Sequence, residues 1–335
     1  MMKKLISIVL VCALALSVCV GCGNTAVNVQ DEQVATAGQG KQVSVVTTIF
    51  PEYDWVREIA GDNSNVEITM LLDNGVDLHS YQPTAEDIMK IATCDVFVYV
   101  GGESDEWVED ALKEATNKDM QVVNLLETLG SNVKEEEVVE GMEAEEEEEE
   151  AEGEEEPEYD EHVWLSLKNA KVLVSAIADA LSKVDSANAD SYKANADAYN
   201  GELAKLDDRY SDVVKAASGN TLLFGDRFPF RYLVDDYGLK YYAAFVGCSA
   251  ETEASFNTIQ FLSGKVDELG LKSVMVIENS DQKIAQTIIA NTNSKDAMIL
   301  TMDSMQSTTS QDVAAGATYY GIMEENLKVL EEGLK

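Results

Sequence analysis

Histidine and positive charge are both scarce in this chain. Its 335 residues include two histidines, and 24 lysines and arginines stand against 62 aspartates and glutamates. The formal net charge of -38 argues against nucleic acid and against anionic lipid surfaces as partners. Beyond the N-terminus no stretch is long and apolar enough to span a bilayer.

Several catalytic signatures are also missing from the sequence. It contains no HExxH pair, no GxSxG nucleophile elbow and no glycine-rich phosphate loop. These absences count against the common metalloprotease, serine hydrolase and nucleotide-binding enzymes.

The N-terminus has the pattern of an export signal. Lysines 3 and 4 precede an apolar run over 5–20, which is shorter than the roughly 20 residues that a bilayer requires, so a signal is favoured over an uncleaved membrane anchor. Gly21-Cys22 resembles the junction of a bacterial lipobox, which predicts a lipoprotein signal peptide over 1–21 and a lipid on Cys22. The polar stretch 22–41 is predicted to be a flexible tether to the membrane.

The five cysteines divide by position along the chain. Cys12 and Cys19 leave with the signal peptide, Cys22 is the predicted lipid site, and Cys94 and Cys248 remain in the body. The last two are predicted to lie in different lobes, so we expect no structural disulfide.

Acidic residues dominate the segment 134–158, including an unbroken glutamate run over 145–150. Such a segment repels itself and buries little, which predicts a disordered acidic loop. Two interpretations stay open: a solvated loop without a task, or a loop that collects cations, since it ends close to His162.

The rest of the chain alternates between strand and helix patterns. This alternation predicts an α/β fold of two lobes, each with a parallel sheet flanked by helices. The predicted boundaries are 42–186 for the first lobe, 187–217 for a long connecting helix and 218–335 for the second lobe. Ligands of such sheets bind at the carboxyl ends of the strands, so the cleft between the lobes is the expected site.

The two histidines, His79 and His162, lie in short segments rich in polar and turn-forming residues. A neutral imidazole is the commonest protein ligand for transition metals. The alternative is two unrelated, hydrogen-bonded histidines, because sequence spacing does not show whether they meet in space.

Four segments together resemble the solute-binding lipoproteins of bacterial ABC transporters that take up zinc and manganese. Residues 47–62 (TTIFPEYDWVREIAGD) resemble the opening strand and helix of that family, and residues 94–101 (CDVFVYVG) resemble a later strand. Residues 72–84 (LDNGVDLHSYQPT) and 159–166 (YDEHVWLS) resemble its first two metal-ligand motifs. The resemblance covers the chain from residue 42 to its last residue.

The resemblance implies a metal site in the cleft with His79 and His162 as ligands from the first lobe. A fourth family ligand falls on Glu278, while the third falls on Gly225, which has no side chain to offer. Asp226, Cys248 or a water molecule are the alternatives for that position.

The implied metal is Zn²⁺, with Mn²⁺ as the second choice, because imidazole, carboxylate and thiolate ligands suit zinc. The implied function is capture of the ion outside the cell and delivery to an ABC transporter permease by a lipid-anchored, monomeric, non-enzymatic protein. The alternatives are a zinc-dependent hydrolase with an open coordination position, and an adhesin or scaffold that uses the same fold.

Overall fold

Two parallel four-stranded sheets organise the computed structural model, which describes residues 42–143, 158–249 and 253–335. The predicted signal peptide, the tether and Cys22 lie outside the described residues. Both lobes belong to one compact unit of the chain. The predicted α/β architecture of two lobes is therefore confirmed.

Each sheet has its first strand near the centre. The first sheet has the order β2-β1-β3-β4 and the second the order β6-β5-β7-β8. The strands are β1 Val43–Thr47, β2 Val66–Met70, β3 Val96–Tyr99, β4 Gln121–Asn124, β5 Thr221–Phe228, β6 Lys240–Val246, β7 Ser273–Ile277 and β8 Met298–Met302. Val45 pairs with Ile68 on one side and with Val96 on the other. The central strands β1 and β7 consist mainly of buried residues, as expected where helices cover both faces of a parallel sheet.

Helices cover the sheets and connect their strands. They are α1 Phe50–Ala60, α2 Ala85–Thr93, α3 Trp107–Lys113, α4 Leu125–Leu129, α5 Leu167–Val184, α6 Ala189–Ala216, α7 Arg231–Tyr237, α8 Phe256–Leu269, α9 Lys283–Asn291, α10 Ser310–Ala314 and α11 Tyr319–Gly333. The sequence pattern did not predict α4 and α10. Each has five residues, which is too short for helical periodicity to register. Among the described residues, no helix combines the length and the apolar character that crossing a membrane requires.

The long helix α6 links the two lobes. Near its start the Tyr192 hydroxyl accepts a hydrogen bond from Asn63 of the first lobe at 2.8 Å, and near its end the Tyr210 hydroxyl donates to the Met323 carbonyl of the second at 2.6 Å. Both tyrosines are fully buried. The helix has 28 residues, about 42 Å at 1.5 Å per residue, and occupies most of the predicted connecting segment.

Helix α11 also crosses between the lobes. The Tyr319 backbone N–H donates to the Asp54 carboxylate at 2.7 Å, and the Tyr319 ring meets Trp55 edge-on with centroids 5.1 Å apart. The Tyr319 hydroxyl donates to the Trp164 carbonyl at 2.6 Å, and the Trp164 indole donates to the Ser304 carbonyl at 2.8 Å. The lobes thus meet through buried aromatic side chains, and the polar groups of Tyr319 and Trp164 have hydrogen-bond partners.

The acidic segment is ordered at its ends. The Glu136 N–H donates to the Glu158 carbonyl and the Asp160 N–H donates to the Lys134 carbonyl, both at 2.9 Å. Paired backbone groups hold this base of the segment, so the predicted disordered range 134–158 is too wide. Residues 144–157 lie outside the described residues.

The segment's first arm continues onto the second lobe. The Glu143 N–H donates to the Ala244 carbonyl of β6 at 2.9 Å, and the Glu143 carboxylate accepts the Ser255 N–H at 2.6 Å. Glu136 accepts the N–H of Cys248 at 3.4 Å. An arm that starts in the first lobe therefore holds the loop after β6 in the second.

Two buried carboxyl groups lie beneath the first sheet's carboxyl edge. Glu52 is fully buried and accepts hydrogen bonds from Thr48 and Ile49 at the start of α1. Burial, and then the charge of Asp105, raise the pKa of Glu52 to about 8. Burial also raises the pKa of Asp105 to about 7, with the charge of Glu161 adding to the effect.

These pKa values predict a loss of stability at alkaline pH. A carboxyl whose pKa is raised on folding contributes stability that is present below its unfolded pKa and lost as the pH rises through its folded pKa. Between pH 7 and 9, above the ordinary histidine pKa of about 6.5, we expect the free energy of unfolding to fall by about 1 kcal/mol from Glu52 alone. Urea unfolding at pH 7, 8 and 9 measures this fall.

The variant Glu52→Gln cannot ionise and should show a flatter pH dependence over the same range. The exposed Glu127→Gln serves as the matched control and should keep the slope of the unchanged chain. An identical slope in Glu52→Gln and in the control would contradict the assignment.

Candidate metal centre

Loops at the carboxyl ends of the strands meet in the cleft between the lobes. His79 lies in the loop after β2, and His162 follows the acidic segment, both in the first lobe. Cys248 follows β6 and Gln306 follows β8 in the second lobe. These four side chains define the candidate metal centre.

His79 is held by groups of the first lobe. It belongs to the 3₁₀ helix Leu78–Ser80, and its backbone N–H donates to the Asp77 carboxylate at 3.1 Å. Its Nδ1 lies 2.7 Å from the Ser104 hydroxyl and 3.4 Å from a Glu161 carboxylate oxygen. The two oxygen atoms beside Nδ1 favour a proton on that nitrogen, which leaves the lone pair of Nε2 facing the cleft.

Glu161 itself is buried beside His79. Burial opposes its ionisation, but hydrogen bonds from His79 and Ser104 and the attraction of His79 outweigh burial and lower its pKa. Gly102 makes room for this carboxylate: it has φ +83°, and a Cβ there would lie 2.4 Å from a Glu161 oxygen. Glycine is required here for both reasons.

His162 is fully buried, and Asp160 fixes its ring. An Asp160 carboxylate oxygen lies 3.1 Å from Nδ1 and also accepts the backbone N–H of His162 at 2.9 Å. This arrangement favours the ring proton on Nδ1 and leaves Nε2 as an acceptor that faces the cleft. The Nε2 atoms of His79 and His162 are 3.2 Å apart.

Cys248 joins the two histidines from the second lobe. One ligand atom from each of the three residues lies within 4.8 Å of the others, and among the described residues this is the group of histidine, cysteine and acidic side chains that is close enough to hold a metal ion. The preceding Gly247 permits the contact, because a Cβ there would lie 2.9 Å from Cε1 of His162.

The thiol of Cys248 has a high affinity for its proton. Burial, followed by the negative charges of Asp160, Glu136 and Glu161, raises its pKa well above the ordinary value. Only a cation that forms a strong bond to sulfur can displace this proton at neutral pH. Cys94 is a second free thiol, buried in the first lobe, where its Sγ donates to the Ile91 carbonyl at 3.2 Å.

Gln306 is the residue of this centre that the sequence did not reveal. Its Nε2 lies 3.2 Å from Nε2 of His79 and also within hydrogen-bonding distance of Nε2 of His162. The usable signal was its position just after β8, at the same sheet edge as the other candidates.

Glu278 does not belong to the close group formed by the two histidines and Cys248. Its carboxylate accepts the Ser304 N–H at 2.6 Å, the Ser304 hydroxyl at 2.7 Å and the Gln306 N–H at 3.1 Å. These bonds hold the loop after β8. The structure therefore gives the predicted ligand Glu278 the geometry of a loop-positioning residue.

Gly225 and Asp226 also lie apart from the group of three. A Cβ on Gly225 would lie 2.7 Å from the Ala285 Cα of α9, so this glycine is needed for packing against that helix. Asp226 accepts the N–H of Arg227 at 2.9 Å. The side chain of Arg227 forms its ion pair across the cleft with Asp77 and not with Asp226.

Comparison with known proteins identifies relatives over nearly the whole chain. Residues 45–333 match the family described as the periplasmic component A of the zinc-uptake complex. The zinc-binding lipoprotein AdcA of Streptococcus pneumoniae strain R6 is 33% identical over 297 residues, which are 87% of this chain and 56% of that protein. The high-affinity zinc uptake system protein ZnuA of Bacillus subtilis is 31% identical over 93% of this chain and 92% of its own length.

A solved structure agrees with these relatives. The Zn(II)-bound ZnuA-like domain of Streptococcus pneumoniae AdcA superposes with a TM-score of 0.66 and 28% identity, covering 88% of this chain and 99% of that domain. The chain spans a little over half the length of the AdcA relatives, and nearly the full length of ZnuA. The chain therefore belongs to the family of the periplasmic component A of the zinc-uptake complex.

Proposed function

We propose that this chain is an extracytoplasmic solute-binding protein that captures Zn²⁺ between its lobes. The observation that carries the proposal is the 3.2 Å separation of the two histidine Nε2 atoms. Two nitrogen ligands of a tetrahedral zinc ion at about 2.05 Å lie about 3.3 Å apart. Since Asp160 and Glu161 already orient the rings, a zinc ion meets two prepared ligands.

Cys248 is the third protein ligand in this proposal, taking the place that the sequence left open at Gly225. Its sulfur needs to approach the histidines only slightly, because all three ligand atoms already lie within 4.8 Å. Water is the expected fourth ligand. A donor set of two imidazoles and a thiolate favours zinc over manganese, which prefers oxygen ligands.

Delivery follows from the placement of the ligands on two lobes. His79 and His162 belong to the first lobe and Cys248 to the second, so a bound ion stabilises the closed cleft and opening weakens its hold. We propose an ABC-type permease as the acceptor of the ion. Binding and release require no bond-making in a substrate, so the chain acts without catalysis.

The N-terminal segment supports an extracytoplasmic location. We propose that the signal over 1–21 is removed and that Cys22 carries a lipid anchor, in line with the name of the Streptococcus pneumoniae relative as a lipoprotein. The family match supports solute binding and lends no support to the zinc hydrolase alternative.

Substitution of the ligands tests the site. We expect His79→Ala and His162→Ala each to weaken Zn²⁺ binding at least 100-fold and Cys248→Ala about 10- to 100-fold, because each removes one of a few strong bonds. Competition with a chromophoric chelator measures the dissociation constants.

Two controls sharpen this experiment. Cys94→Ala removes a buried thiol away from the cleft and should leave zinc affinity unchanged. Glu278→Ala should weaken binding less than tenfold, as expected of a loop-positioning residue. Full affinity in Cys248→Ala together with a large loss in Glu278→Ala would replace Cys248 by Glu278 in the ligand set.

Asp160→Asn tests the orientation of His162. The amide presents a weaker acceptor to Nδ1, so the ring loses its fixed tautomer and zinc affinity should fall about tenfold or more. Asp179→Asn, an exposed position on α5, makes the same chemical change away from the cleft and should have no effect. Equal affinities in both variants would remove Asp160 from the site.

Shortening the acidic segment tests whether it supplies a primary ligand. Replacement of 144–156 by a short glycine-serine linker keeps the ordered arms and should leave the tight zinc site within about threefold, since a three-ligand site holds the ion without it. Equilibrium dialysis at millimolar Ca²⁺ should find fewer weakly bound cations, because carboxylates attract them. Loss of the tight site would show that the segment ligates zinc.

A further inference from the structure

Two hydrogen-bond acceptors face each other at the centre of the cleft. Asp160 beside Nδ1 of His162, and Ser104 with Glu161 beside Nδ1 of His79, favour the ring protons on Nδ1, so both Nε2 atoms carry lone pairs. Lone pairs on nitrogen atoms 3.2 Å apart repel one another unless a donor or a cation lies between them.

The side-chain amide of Gln306 meets this requirement. Its NH₂ group has two hydrogens, and its Nε2 reaches Nε2 of both His79 and His162. The reverse orientation of the amide would set its carbonyl oxygen against two further acceptors. The histidines therefore fix which end of the amide enters the cleft.

The loop after β8 is built to hold Gln306 in this position. Gln306 is buried, and its backbone N–H and that of Ser304 both donate to the Glu278 carboxylate, at 3.1 and 2.6 Å. Met305 between them is buried with φ 63°, a conformation that costs a residue with a side chain about 1 kcal/mol or more. The rest of the loop offsets this strain.

We propose that Gln306 is the selectivity gate of the metal site, an inference that rests on the proposed function. Its amide occupies the position between the imidazoles that the ion must take, so an incoming ion has to displace two hydrogen bonds. Zn²⁺ gains enough binding free energy from nitrogen and sulfur ligands to displace them. Mn²⁺, which binds nitrogen and sulfur more weakly and prefers charged oxygen ligands, gains too little binding free energy to displace the neutral amide.

Two substitutions of Gln306 test the gate in the full-length chain. Gln306→Glu replaces the donor by a charged oxygen ligand, and we expect Mn²⁺ affinity to rise at least tenfold more than Zn²⁺ affinity. Gln306→Ala removes the group to be displaced, and we expect the rate of Zn²⁺ association to rise at least threefold. Chelator competition gives the affinities for both ions and stopped-flow fluorescence gives the rate.

Gln311→Glu and Gln311→Ala are the matched controls. Gln311 is exposed on the nearby α10, so these substitutions make the same chemical changes outside the cleft. Neither should alter the ratio of the two affinities or the rate. Thermal unfolding of each variant without added metal verifies that it is folded.

The outcomes separate the gate from the proposed function. An unchanged Zn²⁺ to Mn²⁺ affinity ratio in Gln306→Glu, or an unchanged or slower association in Gln306→Ala, overturns the gate while zinc binding by the unchanged chain stands. If Gln306 had a purely structural role, its substitution would weaken the binding of Zn²⁺ and of Mn²⁺ equally. Absence of tight zinc binding in the unchanged chain would instead overturn the proposed function.

Discussion

The close approach of two imidazole nitrogens is the constraint on which the site depends. Nε2 of His79 and Nε2 of His162 are 3.2 Å apart, a distance that two neutral acceptors tolerate only with a donor or a cation between them. The buried carboxylates of Asp160 and Glu161 enforce this arrangement by holding the opposite ring nitrogens. The fold thus places an attraction for positive charge at the centre of the cleft.

The two lobes contribute differently to this site. The first lobe orients both histidines through carboxylates beside their rings, whereas the second brings Cys248 and Gln306 on loops after β6 and β8. The loop with Cys248 is in turn held by Glu136 of the acidic segment, so this segment has a structural role at its ends. In the proposed function, movement of the second lobe changes the number of ligands that an ion can reach, and binding is thereby coupled to opening.

Much of the fold and half of the candidate site could be predicted from the sequence. The alternation of apolar strands and amphipathic helices determined two parallel sheets, because each pattern buries its apolar residues in one regular structure. His79 and His162 were found because histidine is scarce and each lies in a distinctive motif. The assignment of Cys248 stayed open, and Glu278 was predicted as a ligand from the family resemblance at the end of β7.

Only the tertiary structure decided which side chains of the second lobe enter the cleft. Position at the carboxyl end of a strand is shared by Cys248, Glu278 and Gln306, and the sequence does not show which way each loop turns. Glu278 accepts hydrogen bonds from the backbone N–H groups of Ser304 and Gln306 in the loop after β8. The strained turn at Met305 directs Gln306 to the histidines. The sequence by itself determined the two sheets, the longer helices and the two imidazoles, since these follow from local pattern. Long-range packing of loops determined which side chains of the second lobe lie beside the histidines, since their partners lie far away along the chain.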